Sequence, residues 1–124
     1  MRAGDTFYLP EDTDPGHHLW TIISDPDKNP EKIIAVCFST LEDYKDQACI
    51  VQKGEHPKID HPSIVDYSNP ATLSIVQLAK MHAAKAIEYE LPLSPELLKK
   101  VRRGVGISRL PMGLIVFLDG QGVL

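Results

Sequence analysis

Apolar residues in the first two-thirds of the chain fall into short runs that polar, proline-containing turns separate. The runs are rich in β-branched and aromatic residues, and the breaks contain the pairs Pro15-Gly16, Asp25-Pro26 and Asn29-Pro30. Short strands at this spacing, with turns between them, favour a small barrel or sandwich. The predicted strands cover residues 6–9, 19–24, 32–39, 48–52 and 63–67.

The pattern becomes helical after residue 69. Apolar residues recur at every third or fourth position between 73 and 87. Asn69-Pro70 resembles an N-cap followed by proline at the first helical position. We therefore expect a helix that begins near residue 70 and ends near Glu90, before Pro92.

A second helix is predicted in the last third of the chain. Ser94-Pro95 repeats the cap-and-proline pattern, and Gly104 is a good helix terminator. The apolar segment 114–118 indicates a last strand or a tail that docks on a neighbour. The pattern thus predicts an α+β chain, mainly β, in which five or more strands are followed by two C-terminal helices.

Length and composition favour one soluble domain that spans residues 1–124, with a sheet part at 4–68, a helical part at 70–104 and a tail or strand at 105–124. The 43% hydrophobic and 24% charged residues are ordinary for a globular protein. The net charge of -4 gives no general attraction to nucleic acid, so any phosphate-binding patch would be local. No apolar run is long enough for a membrane span and no signal-peptide region is present, so we expect a cytoplasmic protein without a membrane.

Histidine is concentrated in two places that could carry chemistry. His56 and His61 lie in the polar stretch 54–67, and His17 and His18 stand just before the second predicted strand. Histidine titrates near neutrality, so it is suited to proton transfer. A polar turn between strands also carries histidines for solvation alone, and that interpretation stays open.

Acid–base cleavage of a phosphodiester is one chemistry that these residues allow. It needs a base, an acid and groups that stabilise the charge on the phosphate. Proton transfer would come from the four histidines, phosphate contacts from hydroxyls and charge from Lys53 and Lys58. The candidate catalytic residues are His17, His18, Ser39, Thr40, His56, His61 and Ser63.

Two other chemistries have weaker support in the sequence. His56 and His61, with Asp60 and Cys49, are ligand types that suit zinc, but neither a CxxC pair nor an HExxH motif is present. Nucleophilic catalysis by Cys49 or Ser63 lacks a nucleophile elbow. The sequence therefore predicts no metal site and no cofactor, with a metal-dependent hydrolase that uses His56 and His61 as the weaker alternative.

Several short motifs follow one another along residues 4 to 104: Gly4-Asp5, Pro15-Gly16, Ile22-Ile23-Ser24, Ser39-Thr40, Asp60-His61-Pro62-Ser63 and the leucine-rich segment 91–98. The order of these motifs resembles that of the PemK/MazF-like toxins. One motif departs from the family pattern, because His17-His18-Leu19-Trp20 stands where the usual Arg-Pro pair would be.

This resemblance implies a small SH3-like barrel with a packed C-terminal helix, often in a homodimer. It also implies a toxin-like endoribonuclease that cleaves single-stranded RNA and that an antitoxin protein holds inactive. Ser39 and Thr40 match the family's Ser or Thr at the end of the third strand, whereas the catalytic arginine has no counterpart. A non-catalytic protein- or RNA-binding module on the same barrel is the alternative.

Overall fold

The structure, a computed structural model, describes residues 1–9 and 18–124. This part of the chain forms six strands and three α-helices. In chain order they are β1 (Thr6–Tyr8), β2 (Leu19–Ile22), β3 (Ile33–Thr40), β4 (Ile50–Val51), β5 (Ser63–Leu73), α1 (Ile75–Ala83), β6 (Glu88–Glu90), α2 (Pro95–Gly104) and α3 (Met112–Gly120). His17, one of the candidate catalytic residues, lies outside the described residues.

The six strands form one antiparallel sheet in the order β4-β5-β3-β2-β1-β6, curled into a half-barrel. The predicted class is confirmed: the chain is α+β, mainly sheet, with helices towards its C-terminus. The expected count of two helices is corrected to three within the described residues. The additional helix is α3, while α1, which occupies part of the first predicted helix, lies between β5 and the edge strand β6 rather than after the sheet.

Strand β3 is central to the fold because it is buried on both faces. Successive side chains of a strand point to opposite faces. Ile34, Val36 and Phe38 pack with the buried residues of α2 and α3, while Ile33 and Ala35 pack in a second cluster with α1. The helices therefore sandwich the sheet, and the near-continuous apolar run of β3 follows from burial on both sides.

The predicted helix from residue 70 to residue 90 is wrong at both ends. Strand β5 continues through Asn69-Pro70 to Leu73, because a bulge opposite β3 lets it resume pairing with Ile33 at its far end. Proline is tolerated in a strand at such an irregularity. The helix begins instead after Ser74, whose side chain and that of Gln77 form a complete capping box.

The helix α1 also ends earlier than expected, at Ala83, and the next residues return to the sheet. Lys85 adopts a left-handed conformation with φ of 58°, which turns the chain back. Residues 88–90 then pair with β1 as β6. In contrast, α2 begins and ends where the sequence predicts, with Ser94 accepting a hydrogen bond from the Leu97 amide at 3.1 Å.

The segment 114–118 is helical, so the predicted last strand is wrong. It belongs to α3, which follows Pro111 and ends before Gly122, a glycine with φ of 74° that suits the residue after a helix. The Leu118 side chain is fully buried against the rest of the core. In the described part of the chain no helix is long and apolar enough to cross a bilayer.

Candidate functional site

A cleft of about 330 Å³ opens where β3 ends. Antiparallel pairing places Ser63, the first residue of β5, opposite Thr40, the last residue of β3. On the other side of β3, Trp20 pairs with Cys37, so His18 lies level with the same end of β3. Five of the seven residues that the sequence singled out line this cleft: His18, Ser39, Thr40, His61 and Ser63.

Asp60, His61 and Thr40 form a continuous series of hydrogen bonds at the cleft. The Asp60 Oδ1 atom lies 2.6 Å from His61 Nδ1, and His61 Nε2 lies 3.1 Å from the Thr40 hydroxyl. A carboxylate can only accept, so in the neutral ring Nδ1 carries the proton and Nε2 accepts from Thr40. Hydrogen bonding to His61, reinforced by the positive charge that the ring carries when it is protonated, lowers the pKa of the Asp60 carboxyl below its usual 3.8.

Lys45 brings a positive charge to the same cleft. Its ammonium donates to the Ser39 hydroxyl at 2.9 Å and to the Thr40 carbonyl at 3.0 Å, while a Glu42 carboxylate oxygen lies 3.9 Å away. An ammonium group has three donors, so one remains for a bound anion. Lys45 was not predicted from the sequence; its position six residues after Ser39, in the turn that leaves β3, was the available signal.

Lys58 and Tyr8 complete the polar lining. The Lys58 ammonium lies 3.8 Å from a Glu90 carboxylate oxygen, and its side chain is about half exposed. Burial and then the charge of Glu90 raise the pKa of the Tyr8 hydroxyl above its usual 10.0, so that hydroxyl is protonated at neutral pH. The sequence analysis expected Lys58 to supply positive charge, whereas it did not place Tyr8 at the site.

Ser63 lies in the cleft but its hydroxyl has a local partner. The side chain is buried, and its Oγ donates to the His61 carbonyl at 2.9 Å. Ser63 therefore fixes the backbone of His61 at the entrance of β5, while its oxygen lone pairs remain able to accept.

His56 does not line the cleft. Its side chain is only 2% exposed; Nδ1 accepts from the Lys58 amide at 3.0 Å and Nε2 lies 2.6 Å from the Leu91 carbonyl. Both ring nitrogens are thus engaged by backbone atoms, and the ring ties the 52–60 loop to the segment before α2. His56, a candidate catalytic residue in the sequence analysis, therefore lies apart from the candidate residues that line the cleft.

The residues considered for a metal site do not converge. Within residues 1–9 and 18–124, no group of three or more His, Cys, Asp or Glu side chains could hold a metal ion. Cys49 is buried beneath α2, and burial raises the pKa of its thiol above the usual 9.0. The thiol is therefore mainly protonated at neutral pH and a weak nucleophile.

The basic run on α2 lies on another surface. Arg102 donates from Nε to the Ile23 carbonyl at 2.9 Å, and the Lys100 ammonium lies 3.1 Å from a Glu55 carboxylate. Lys99 and Arg103 line a separate, mainly apolar groove. None of these cations lines the cleft at the end of β3.

Comparisons of the chain with protein-family models, with curated proteins and with solved structures find no match. The likeness to the PemK/MazF-like toxins therefore remains a resemblance of short sequence motifs. The geometry of the cleft is the basis for assigning a function.

Proposed function

We propose that this cleft binds the backbone of single-stranded RNA and cleaves it by acid–base catalysis that needs no metal ion. The observation that carries the proposal is the hydrogen-bonded series Asp60–His61–Thr40 beside the Lys45 ammonium. RNA cleavage by its own 2′-hydroxyl needs a positioned base and a positive charge at the phosphate. The cleft volume is in the range of small-ligand pockets.

In the proposed reaction the 2′-hydroxyl oxygen attacks the adjacent phosphorus, and the bond to the 5′-oxygen of the next nucleotide breaks. His61 Nε2 accepts the 2′-hydroxyl proton, since Asp60 keeps Nδ1 protonated and orients the ring. A protonated His18, on the β2 side of the cleft, returns a proton to the leaving 5′-oxygen. The products are a 2′,3′-cyclic phosphate and a 5′-hydroxyl, with no net change in protons.

In this proposal Lys45 and Lys58 supply the positive charge that an arginine supplies in the PemK/MazF-like toxins. Lys45 and Lys58 each lie nearly 4 Å from a glutamate, at 3.9 and 3.8 Å. Partly exposed pairs of this kind contribute only about 0–1 kcal/mol, so a phosphate can replace the glutamate at small cost. The Thr40 hydroxyl, released from His61 when the 2′-hydroxyl takes its place, then contacts a phosphate oxygen.

The test is cleavage of single-stranded RNA by the purified full chain in EDTA, with the 2′,3′-cyclic product identified by mass spectrometry. We expect His61→Ala and His18→Ala each to lower the rate by about 100-fold or more, as for loss of a general acid or base. His82→Ala is the matched control, since His82 is an exposed histidine on α1. RNA that stays intact, or a His61→Ala rate equal to that of His82→Ala, would contradict the proposal.

A non-catalytic RNA-binding module on the same cleft is the second candidate. The exposure of the Asp60 and His61 side chains, 84% and 50%, favours it, because water weakens electrostatic stabilisation at an open site. This candidate predicts that the protein binds single-stranded RNA and leaves it intact. The cleavage assay and a binding assay on the same oligonucleotide separate the two.

A further inference from the structure

A second, smaller cleft of about 230 Å³ adjoins the first, and the proposed function does not use it. The two clefts share Ser39 and Lys45 in their lining. The Lys45 ammonium, already bonded to Ser39 Oγ, therefore stands at the junction between them. A ligand that reaches across this junction can fill both clefts with Lys45 at its middle.

We propose that the second cleft is a subsite for the nucleoside next to the scissile phosphate, with its base stacked on Tyr44 and its outer phosphate bound by Arg109. This inference rests on the proposed RNA ligand and adds where the neighbouring nucleotide lies. It makes a single strand of at least two nucleotides the unit that the protein recognises.

Tyr44 has the position and exposure of a stacking platform. Its side chain is 73% exposed although it is a large aromatic residue, and the Lys45 ammonium lies 5.9 Å from the ring centroid. Base–aromatic stacking tolerates any base because every base has a π-face. An exposed tyrosine next to a cation is therefore suited to a nucleotide whose phosphate is bound by that cation.

Arg109 supplies the second cation. Its backbone amide donates to Asp46 Oδ2 at 2.7 Å, which fixes the backbone of this lining residue. Its guanidinium makes no hydrogen bond or ion pair with any residue in the described part of the chain, and the residue is exposed. Its planar donor groups match a phosphate.

The acidic residues of this cleft place the base, and not a phosphate, at its centre. Asp46 already accepts from the Ala48 and Arg109 amides, and Asp66 accepts from the Ser68 amide and the Asn69 side chain. A phosphate between these two carboxylates would be repelled, whereas a base can hydrogen-bond to their remaining lone pairs. Lys45 and Arg109, the cations of this lining, are therefore the groups that would bind the phosphates on either side of the base.

The test measures binding of a fluorescent 2′-deoxy tetranucleotide, which cannot be cleaved by a 2′-hydroxyl, to the full chain. We expect Tyr44→Ala and Arg109→Gln each to raise the Kd about tenfold, as for loss of one stacked base or one phosphate contact. Tyr44→Phe keeps the ring and should stay within twofold of wild type. Lys99→Gln removes an exposed cation outside both clefts and is the charge-matched control.

The outcomes for the subsite and for the ribonuclease are distinguishable. If Tyr44→Ala and Arg109→Gln bind like Lys99→Gln, the subsite is overturned even when RNA is cleaved. If the tetranucleotide binds in a Tyr44-dependent manner and RNA stays intact, the subsite stands and the ribonuclease proposal fails. If wild type does not bind the tetranucleotide, the subsite is overturned. Unchanged circular dichroism and thermal midpoints identify variants that remain folded.

Discussion

At the residue scale, the candidate site depends on the adjacency of Asp60 and His61 in the chain. Neighbouring residues normally point apart in a strand, but this pair lies just before β5 begins, where the backbone lets the carboxylate reach the ring. The carboxylate fixes which nitrogen carries the proton and so leaves the Nε2 lone pair of His61 to accept from the Thr40 hydroxyl.

The ionisation of the Asp60 carboxyl should depend on His61. Its pKa is lowered by the hydrogen bond to His61, so the ionised carboxylate persists as pH falls below 3.8 and is lost only at the lowered value. In His61→Ala we expect the Asp60 titration midpoint, followed by carboxyl-carbon NMR, to rise towards 3.8. An unchanged midpoint would show that the hydrogen bond is absent in solution.

The same residue should matter for turnover. Asp60→Asn keeps the size of the side chain but removes the charge that stabilises a protonated His61 ring. We expect a decrease of about 10-fold or more in the rate of RNA cleavage, in line with the loss of a carboxylate behind a functional histidine. Asp43→Asn, in the exposed turn after β3, is a control with the same chemical change. Equal rates for the two variants would rule out this role of Asp60.

At the element scale, the contact between α2 and β5 determines how the helix sits on the sheet. The Tyr67 hydroxyl, buried in β5, donates to the Val101 carbonyl of α2 at 2.6 Å. Gly104, at the end of α2, lies against the same hydroxyl and against the β4 side of the sheet. The close approach leaves no room for a side chain at position 104.

Gly104→Ala should therefore destabilise the protein although alanine favours helices. The added Cβ would overlap the Tyr67 hydroxyl oxygen and lie 3.2 Å from the Ala48 carbonyl oxygen. We expect a loss of about 1–3 kcal/mol in the free energy of unfolding, as for overpacking in a core. Gly113→Ala in α3 is the matched control, because a Cβ there meets no atom within 4 Å and should stabilise by up to about 1 kcal/mol.

Urea unfolding of both variants, and of Gly104→Ala combined with Tyr67→Phe, measures this contact. Removal of the hydroxyl relieves the overlap, so the alanine should cost less in the Tyr67→Phe background than in wild type. A Gly104→Ala variant as stable as Gly113→Ala would show that α2 does not pack this closely.

At the scale of the whole molecule, a few buried polar contacts join segments that are far apart in sequence. Besides the hydrogen bond from Tyr67 to α2, the His56 ring is hydrogen-bonded to the Leu91 carbonyl, and the Arg102 side chain donates a hydrogen bond to the Ile23 carbonyl. Each contact links the sheet or one of its loops to the helical third of the chain. These contacts hold the helical third of the chain against the sheet whose strand ends line the cleft.

The pH dependence of stability should reflect the burial of the Tyr67 hydroxyl and the Cys49 thiol. Burial, followed by the charge of Cys49, raises the pKa of Tyr67 far above 10.0, and burial raises the pKa of Cys49 above 9.0. Since the unfolded chain loses these protons first, their contribution is complete below about pH 9 and decreases as pH rises. We expect the free energy of unfolding to decrease above about pH 9, by up to about 1.4 kcal/mol per pH unit for each group.

Urea unfolding between about pH 8 and pH 11 tests this expectation, with Tyr67→Phe as the comparison. The variant retains the ring but cannot ionise, so its stability should fall less steeply above about pH 10. Parallel pH profiles for wild type and Tyr67→Phe would contradict the assignment.

Local signals in the sequence predicted a helix or strand correctly where the residues that start and end it lie within or next to that element. The run 32–39 predicted β3, and Ser94-Pro95 with Gly104 predicted α2. They failed at 69–90 because Asn69-Pro70 is a good helix start locally, but pairing with β3 keeps these residues in β5. Segment 114–118 was too short to distinguish a buried strand from a buried helix by its apolar residues alone.

The sequence by itself determined which side chains could do chemistry: histidines, hydroxyls and lysines concentrated around two turns. Only the tertiary structure decided which of them meet. His56 and His61 are equivalent in the sequence, yet one is enclosed by backbone partners and the other faces a cleft with Thr40. The reason is physical: strand register and burial place a side chain through contacts between distant segments, which no local pattern encodes.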